Sequence, residues 1–227
     1  MRSSIILKSG VYSGVSHLLP SHRTAAMAAV LTARGLASPS FPANRSAEAA
    51  TGAISRGLFS DVSLSVGKGD VLAIQGPSGS GKTVLLKCLA HLLVYPAGEV
   101  RLNGHTAGVY DVPAWRCRIM YLPQRPALLS GTPNNFFDTV KHYDARRRYW
   151  EEKFDNISGR GVDPADIASK WNVPEECWHR SWAHLSGGEA QRIALAIALA
   201  LEPEVLLLDG ECEGSIVVPI LRWLLLY

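Results

Sequence analysis

No uninterrupted stretch of the 227-residue chain reaches the roughly 18 to 20 uncharged apolar residues that a membrane-spanning helix needs. The longest candidate, from Ile216 to Tyr227, is broken by Pro219 and Arg222, so the sequence is not expected to cross a bilayer by itself. Cysteine is scarce. Cys88, Cys117, Cys177 and Cys212 form neither a Cys-x-x-Cys pair nor a Cys/His cluster, which argues against a zinc site and against a disulfide framework and suits a reducing compartment. Acidic residues are missing from the first 47 positions, which carry five Lys or Arg, whereas the remainder has 18 basic and 20 acidic residues. A duplex-binding domain concentrates cations for phosphate neutralisation. This body does not, and no nucleic-acid partner is expected. What is present, 47% apolar and 19% charged residues, excludes disorder throughout and fits one globular domain with something left over.

The organisation follows from patterning. Residues 1–50 are rich in Ser, Ala and Arg, lack sustained periodicity, and include a loop-like stretch from Ala37 to Asn44 with Pro39 and Pro42. They are expected to form an extension outside the fold. The composition is that of an organelle transit peptide, mitochondrial for example, and equally that of a disordered tail or of a wrongly placed start. From Leu58 short apolar strands alternate with helices. Val62, Leu64 and Val66 alternate with polar residues, Gly67 to Asp70 reads as a turn, and Val71 to Ile74 as a strand. Thr83 to Leu93 has helical spacing, Glu99 to Leu102 reads as a strand entering a turn at Asn103-Gly104, and Ile119 to Leu122 as another strand. A charged helical insert spans about 132–183. A helix from about Gly188 to Leu201 and the apolar run Val205 to Leu208 close the readable part, and the alternation predicts an α/β fold with a mostly parallel, covered sheet.

Three motifs carry chemistry. Gly76-Pro77-Ser78-Gly79-Ser80-Gly81-Lys82-Thr83 matches GxxxxGK[ST] in full, between a predicted strand and a predicted helix. Its glycines allow successive N–H groups to point at phosphate oxygens, and the helix adds its positive end. Lys82 is expected to reach the β- and γ-phosphates and Thr83 to offer its hydroxyl to Mg²⁺. Asp209, at the tip of the apolar strand, supplies a carboxylate for the same magnesium. Between them, Leu185-Ser186-Gly187-Gly188-Glu189-Ala190-Gln191-Arg192 opens a helix. It reads either as an anion site at a helix N-terminus or as a capping box, with Ser186 as cap and Glu189 three residues on.

Taken together, LSGGEAQR, GPSGSGKT and the LLLLD run resemble the ATP-binding subunit or domain of ABC transporters, over roughly Leu58 to Asp209. The resemblance implies a P-loop NTPase fold of ABC type, ATP and Mg²⁺ as ligands, and ATP hydrolysis coupled to transport. It implies that Gln124, in Tyr121-Leu122-Pro123-Gln124-Arg125-Pro126, is the glutamine that contacts magnesium and the attacking water and links the nucleotide site to the membrane partner. It further implies a second ABC nucleotide-binding domain, alike or different, packed head to tail, so that Leu185, Ser186, Gly187, Gly188 and Glu189 of one copy cover ATP on the other. Transmembrane subunits would be separate chains, and this one would sit peripherally on a membrane, on the cytoplasmic or organelle-matrix side. The segment from Arg125 to Thr132 and the insert occupy the partner-facing region of the family. The insert aromatics Phe136, Phe137, Tyr149, Trp150, Trp171, Trp178 and Trp182 are read as its own core, with a partner contact as the other reading, and Arg146 to Arg148 as a solvated helix face.

The sequence also departs from that family. Where a glutamate normally follows the strand-end aspartate, Gly210 stands, and Glu211 is displaced by one residue, which on a strand end turns its side chain away. Nothing in 210–227 resembles the remaining family motifs, and Glu48 to Arg56 holds no aromatic for the adenine. The expectation is a domain incomplete at its C-terminus, binding Mg-ATP weakly and hydrolysing it poorly. Gly210-Glu211-Cys212 can be encoded GGT-GAG-TGY, which contains the intron-start sequence GTGAGT. The tail is accordingly read as intron read-through, with a degenerate, noncatalytic paralogue as the rival account. A soluble ABC protein of translation or DNA maintenance, or an ATP-binding regulatory module without turnover, is the alternative in another class.

Overall fold

The structure, a computed structural model, describes residues 4–8 (as backbone), 29–40, 57–124, 129–154 and 162–210. Among these residues eight strands form two sheets of four. One is parallel, in the order β4 (Val71–Ile74), β1 (Ser4–Lys8), β8 (Val205–Leu208), β7 (Ile119–Leu122). The other is antiparallel, in the order β3 (Val62–Gly67), β2 (Ala29–Ala37), β5 (Ala97–Leu102), β6 (His105–Thr106).

Two expectations are corrected here. Residues 1–50 do not lie wholly outside the fold: β1 is an inner strand of the parallel sheet, with Ile5 in register with Val71 on one side and Leu206 on the other, and β2 is an inner strand of the antiparallel one. The strands are also not mostly parallel in one sheet. The turn at Gly67–Asp70 is present, with the Asp70 amide donating to the Gly67 carbonyl at 3.2 Å, but it carries the chain from one sheet to the other instead of closing a hairpin. The hairpin that does form joins β5 and β6, where Asn103 and Gly104 both take positive φ, the backbone that a tight two-residue turn demands.

Period-two patterning explains how β8 sits at the centre. Val205 and Leu207 enter a core shared with Leu31, Leu36, Val100 and Leu102 of the antiparallel sheet, with Leu86 and Leu89 of α1 (Lys82–Leu89), and with Trp115. Leu206 and Leu208 enter a second core with α7 (Gly187–Ala200) and the insert. A strand buried on both faces must be apolar throughout, which is why this one reads as a continuous run. Trp115, fully buried on α3 (Val112–Arg118), which follows the short α2 (Ala107–Tyr110), satisfies its indole N–H on the Leu89 carbonyl at 3.0 Å.

The insert comprises α4 (Pro133–Lys141), α5 (Asp144–Lys153), α6 (Pro164–Ser169) and two short 3₁₀ turns at Glu175–Trp178 and Trp182–His184. Trp178, Trp182 and Tyr149 are buried, and Phe136 meets Trp182 edge to face at 6.1 Å. Among the described residues no helix is long and apolar enough to cross a membrane.

Arg146 corrects another expectation. It is 2% exposed, unlike its neighbours Arg147 and Arg148 on the solvated face. Its Nη1 donates to the Leu201 carbonyl at 2.8 Å, while the Tyr149 hydroxyl and Lys153 ammonium donate to the Glu202 carbonyl at 2.8 and 2.5 Å. Three donors of α5 thus hold the chain where α7 ends, at Glu202 with φ +51 before Pro203, and a cation placed there also opposes the helix dipole. Arg118, lying between the Tyr110 and Tyr149 rings, ties the same corner to Glu204 at 2.8 Å and to Glu152. Replacing Arg146 by alanine is expected to destabilise the fold by about 3 kcal/mol, through lost volume and a lost cap. Arg146→Met, whose stem fills the pocket, should cost about half as much. Urea unfolding of the three proteins checks this, and a loss below about 1 kcal/mol for alanine would contradict it.

Candidate functional site

The C-terminal ends of parallel strands point to one edge of their sheet, and there the loop after β4 and the tip of β8 meet. The loop from Gly76 to Gly81 turns back into α1, whose cap residue Gly81 has φ +91. A side chain there would be strained by that φ and crowded as well, because its Cβ would stand 3.0 Å from Leu58 Cβ and from Phe59 Cδ1. The first turn of α1 carries no side-chain cap and no acidic residue, so its amides keep the electropositive character that suits an anion. Lys82 folds back along the loop, its ammonium donating to the Gly76 carbonyl at 2.6 Å and the Pro77 carbonyl at 2.7 Å.

One residue on, the Thr83 hydroxyl donates to Oδ1 of Asp209 at 2.9 Å, across 126 positions of sequence. Asp209 is buried, its amide held by the Leu122 carbonyl at 2.9 Å, and its other oxygen, Oδ2, accepts from the Tyr121 hydroxyl at 2.6 Å. Burial, and after it the Asp209 carboxylate, push the Tyr121 phenol above its ordinary pKa. The tyrosine therefore remains the donor. A hydroxyl and a carboxylate side by side are hard oxygen donors, and beside a loop built for phosphate they suit Mg²⁺ held jointly with phosphate oxygens.

Gln124 lies at the same edge. A Cβ on Gly210 would stand 3.7 Å from Gln124 Cα and Cγ, an ordinary contact, and the Gln124 carbonyl accepts from Gln191 Nε2 of α7 at 3.4 Å. Arg125 to Leu128, and the tail from Glu211 with its displaced glutamate, lie outside the described residues.

The corner from Leu185 to Glu189 takes the capping-box form. Ser186 Oγ accepts from the Glu189 amide at 3.3 Å, and Glu189 Oε2 accepts from the Ser186 amide at 2.8 Å and its hydroxyl at 2.7 Å. These two donors hold the Glu189 carboxyl below its usual pKa. Among the described residues the hydrogen bonds of this corner do not reach residues 76–83. Within one chain, then, Lys82, Thr83, Asp209 and Gln124 are gathered at one edge and the Ser186 corner is not bonded to them. Tyr121 is the site residue that pattern reading passes over. The signal exists only in the pairing of β7 with β8, which sets Tyr121 opposite Leu207, two positions short of Asp209.

The chain is 35% identical over 177 residues to the molybdate/tungstate import ATP-binding protein WtpC of Thermococcus kodakarensis, covering 72% of this chain and 48% of that protein. It is 37% identical over 165 residues to the phosphate import ATP-binding protein PstB 1 of Vibrio cholerae, covering 66% and 56%. The chain spans about half the length of these curated relatives. Its fold is shared with cbiO1 from Clostridium perfringens, part of the ABC transporter complex cbiONQ, at a TM-score of 0.58 and 20% identity over 86% of this chain and 74% of that one. The family model for ABC transporter matches residues 59–212, from just ahead of β3 to just beyond Asp209, and on that match the chain belongs to the ABC transporter family.

Proposed function

We propose that the protein is the ATP-binding, ATP-hydrolysing subunit of an ABC transporter, coupling nucleotide binding and hydrolysis to transport by separate transmembrane subunits. The observation that carries the reading is the meeting of Thr83 and Asp209 beside the Lys82 loop. In this reading the amides of residues 76–83 cradle the phosphates and Lys82 exchanges its two loop carbonyls for β- and γ-phosphate oxygens. Thr83 and Asp209, with Gln124 near them, hold magnesium, which when bound neutralises charge that develops on the phosphates. Gln124 orients the water that attacks the γ-phosphate in line. Ser186 to Gly188 of a second ABC domain, alike or different, close over the nucleotide, and the pair sits peripherally on a membrane.

A noncatalytic ATP-binding paralogue is a second reading, favoured by one observation: Gly210 follows Asp209 where a water-polarising carboxylate would stand. One experiment addresses both. The chain is expected to bind a fluorescent ATP analogue in a magnesium-dependent way and to release phosphate slowly. Gly210→Glu, for whose Cβ there is room against Gln124, should raise turnover about 10²-fold, the low end of what a positioned general base contributes. Absence of magnesium-dependent binding overturns the proposal. Binding with no gain in Gly210→Glu favours the paralogue.

A further inference from the structure

Asp209 is held by two hydroxyls of different origin, and only one belongs to the phosphate-loop motif. The Thr83 hydroxyl meets Oδ1 from the first turn of α1, while the Tyr121 hydroxyl meets Oδ2 from the neighbouring strand. The Tyr121 ring is itself fixed. It packs against the core that contains Val205 and Leu207, and the Lys87 ammonium of α1 lies 5.9 Å from its centroid. A carboxylate torsion is soft, with a broad and roughly two-fold profile. A short bond to Oδ2 from a rigid ring restricts that freedom and leaves Oδ1 beside the Thr83 hydroxyl, 2.9 Å away.

We propose that Tyr121 is a positioning residue for magnesium, presetting the Asp209 carboxylate so that the metal meets a ligand already oriented toward Thr83. This rests on the nucleotide site proposed above. Its consequence is specific: the phenolic oxygen acts on the metal-dependent part of nucleotide affinity and on no other part, because it touches neither the loop from Gly76 to Gly81 nor Lys82 among the described residues. Tyr121→Phe removes that oxygen and retains the ring, with its packing and its cation contact.

The test is a MgCl₂ titration of a fluorescent ATP analogue binding to the full chain, repeated in EDTA, for wild type, Tyr121→Phe, Asp209→Asn and the double variant. The expected result is a magnesium half-saturation raised about tenfold in Tyr121→Phe, the scale of one lost hydrogen bond to a charged group. Affinity in EDTA should stay close to wild type, the thermal midpoint should fall by a few degrees at most, because the buried Asp209 Oδ2 loses its donor, and Tyr121→Phe should add nothing to the magnesium effect in the Asp209→Asn background, since its path runs through that carboxylate. The inference is overturned if Tyr121→Phe titrates like wild type, if it weakens binding equally with and without magnesium, or if its effect persists undiminished in the double variant. Wild type that binds no nucleotide in magnesium is a different failure. It removes the site reading itself and this inference with it.

Discussion

Lys82→Ala is expected to lower magnesium-dependent turnover by on the order of 10³-fold, the loss that follows from removing one fixed positive donor at developing charge. The ammonium lies on the Gly76 and Pro77 carbonyls, both at the mouth of the loop. Those bonds hold a flexible stem along the path a triphosphate would take, so little rearrangement is needed to engage one. The same bonds contribute little to folding, because they join an ammonium to carbonyls at a partly exposed loop, and the variant should lose no more than about 1 kcal/mol of stability. Lys82→Arg should not rescue, since a planar fork does not replace a compact ammonium threaded between two carbonyls. Phosphate release measured beside thermal unfolding separates the outcomes. Turnover within threefold of wild type would remove Lys82 from the site, and a collapsed transition would show that the residue supports the fold.

Deleting residues 1–8 is expected to abolish cooperative unfolding or to cost on the order of 5 kcal/mol, a large share of the stability of an ordinary domain. β1 is paired in parallel on both sides, from Ile5 with Val71 to Lys8 with Ile74, and from Ser4 with Val205 to Leu7 with Leu208. Without it β4 has no partner within its sheet and β8 acquires an open edge of unpaired backbone groups beside Asp209. Urea unfolding followed by circular dichroism checks this, with dye binding as a sign of exposed core. An unchanged midpoint and slope in the truncated protein would show the pairing of β1 to be dispensable. The deletion also bears on the transit-peptide composition of this region: removal of any leader that extended beyond Lys8 would take the inner strand with it.

What can be read from pattern and what cannot divides along physical lines. The strand Val71–Ile74, the loop after it, the strand Ile119–Leu122, and the helix and strand from Gly187 to Leu208 carry strong periodicity or a complete motif, and each forms close to its expected bounds, whereas the helix expected over Thr83 to Leu93 ends at Leu89, just before His91 takes φ +52. β2 is illegible because its register shifts between Ala29 and Leu31 and again between Ala33 and Leu36. Each shift moves the buried side chains out of phase, so Leu31, Ala33 and Leu36 do not follow a period of two across the strand. β1 is five residues long, too short for alternation to separate it from loop. Arg146 escapes pattern reading because three consecutive arginines look alike in sequence, and only the packing of α5 against the end of α7 selects one of them for burial. At the site, the motif residues are legible because backbone geometry near phosphate demands them. Tyr121 is not, because its role depends on a neighbouring strand and on an acceptor 88 residues away in sequence.

The distance between β1 and β8 along the chain sets an order on biogenesis. Ser4 pairs with Val205, about two hundred positions later, so during synthesis at about 5 to 20 residues per second the early strand waits on the order of 10 to 40 s for its neighbour. Until Val205 to Leu208 leave the ribosome, β4 and β1 can form at most a two-stranded ladder, which is marginal alone. Such a topology is dominated by non-local pairing and folds slowly once the chain is complete. Until then the edges of β1 and β4 are open to pairing with other chains, and a lower temperature during expression is expected to raise the soluble yield.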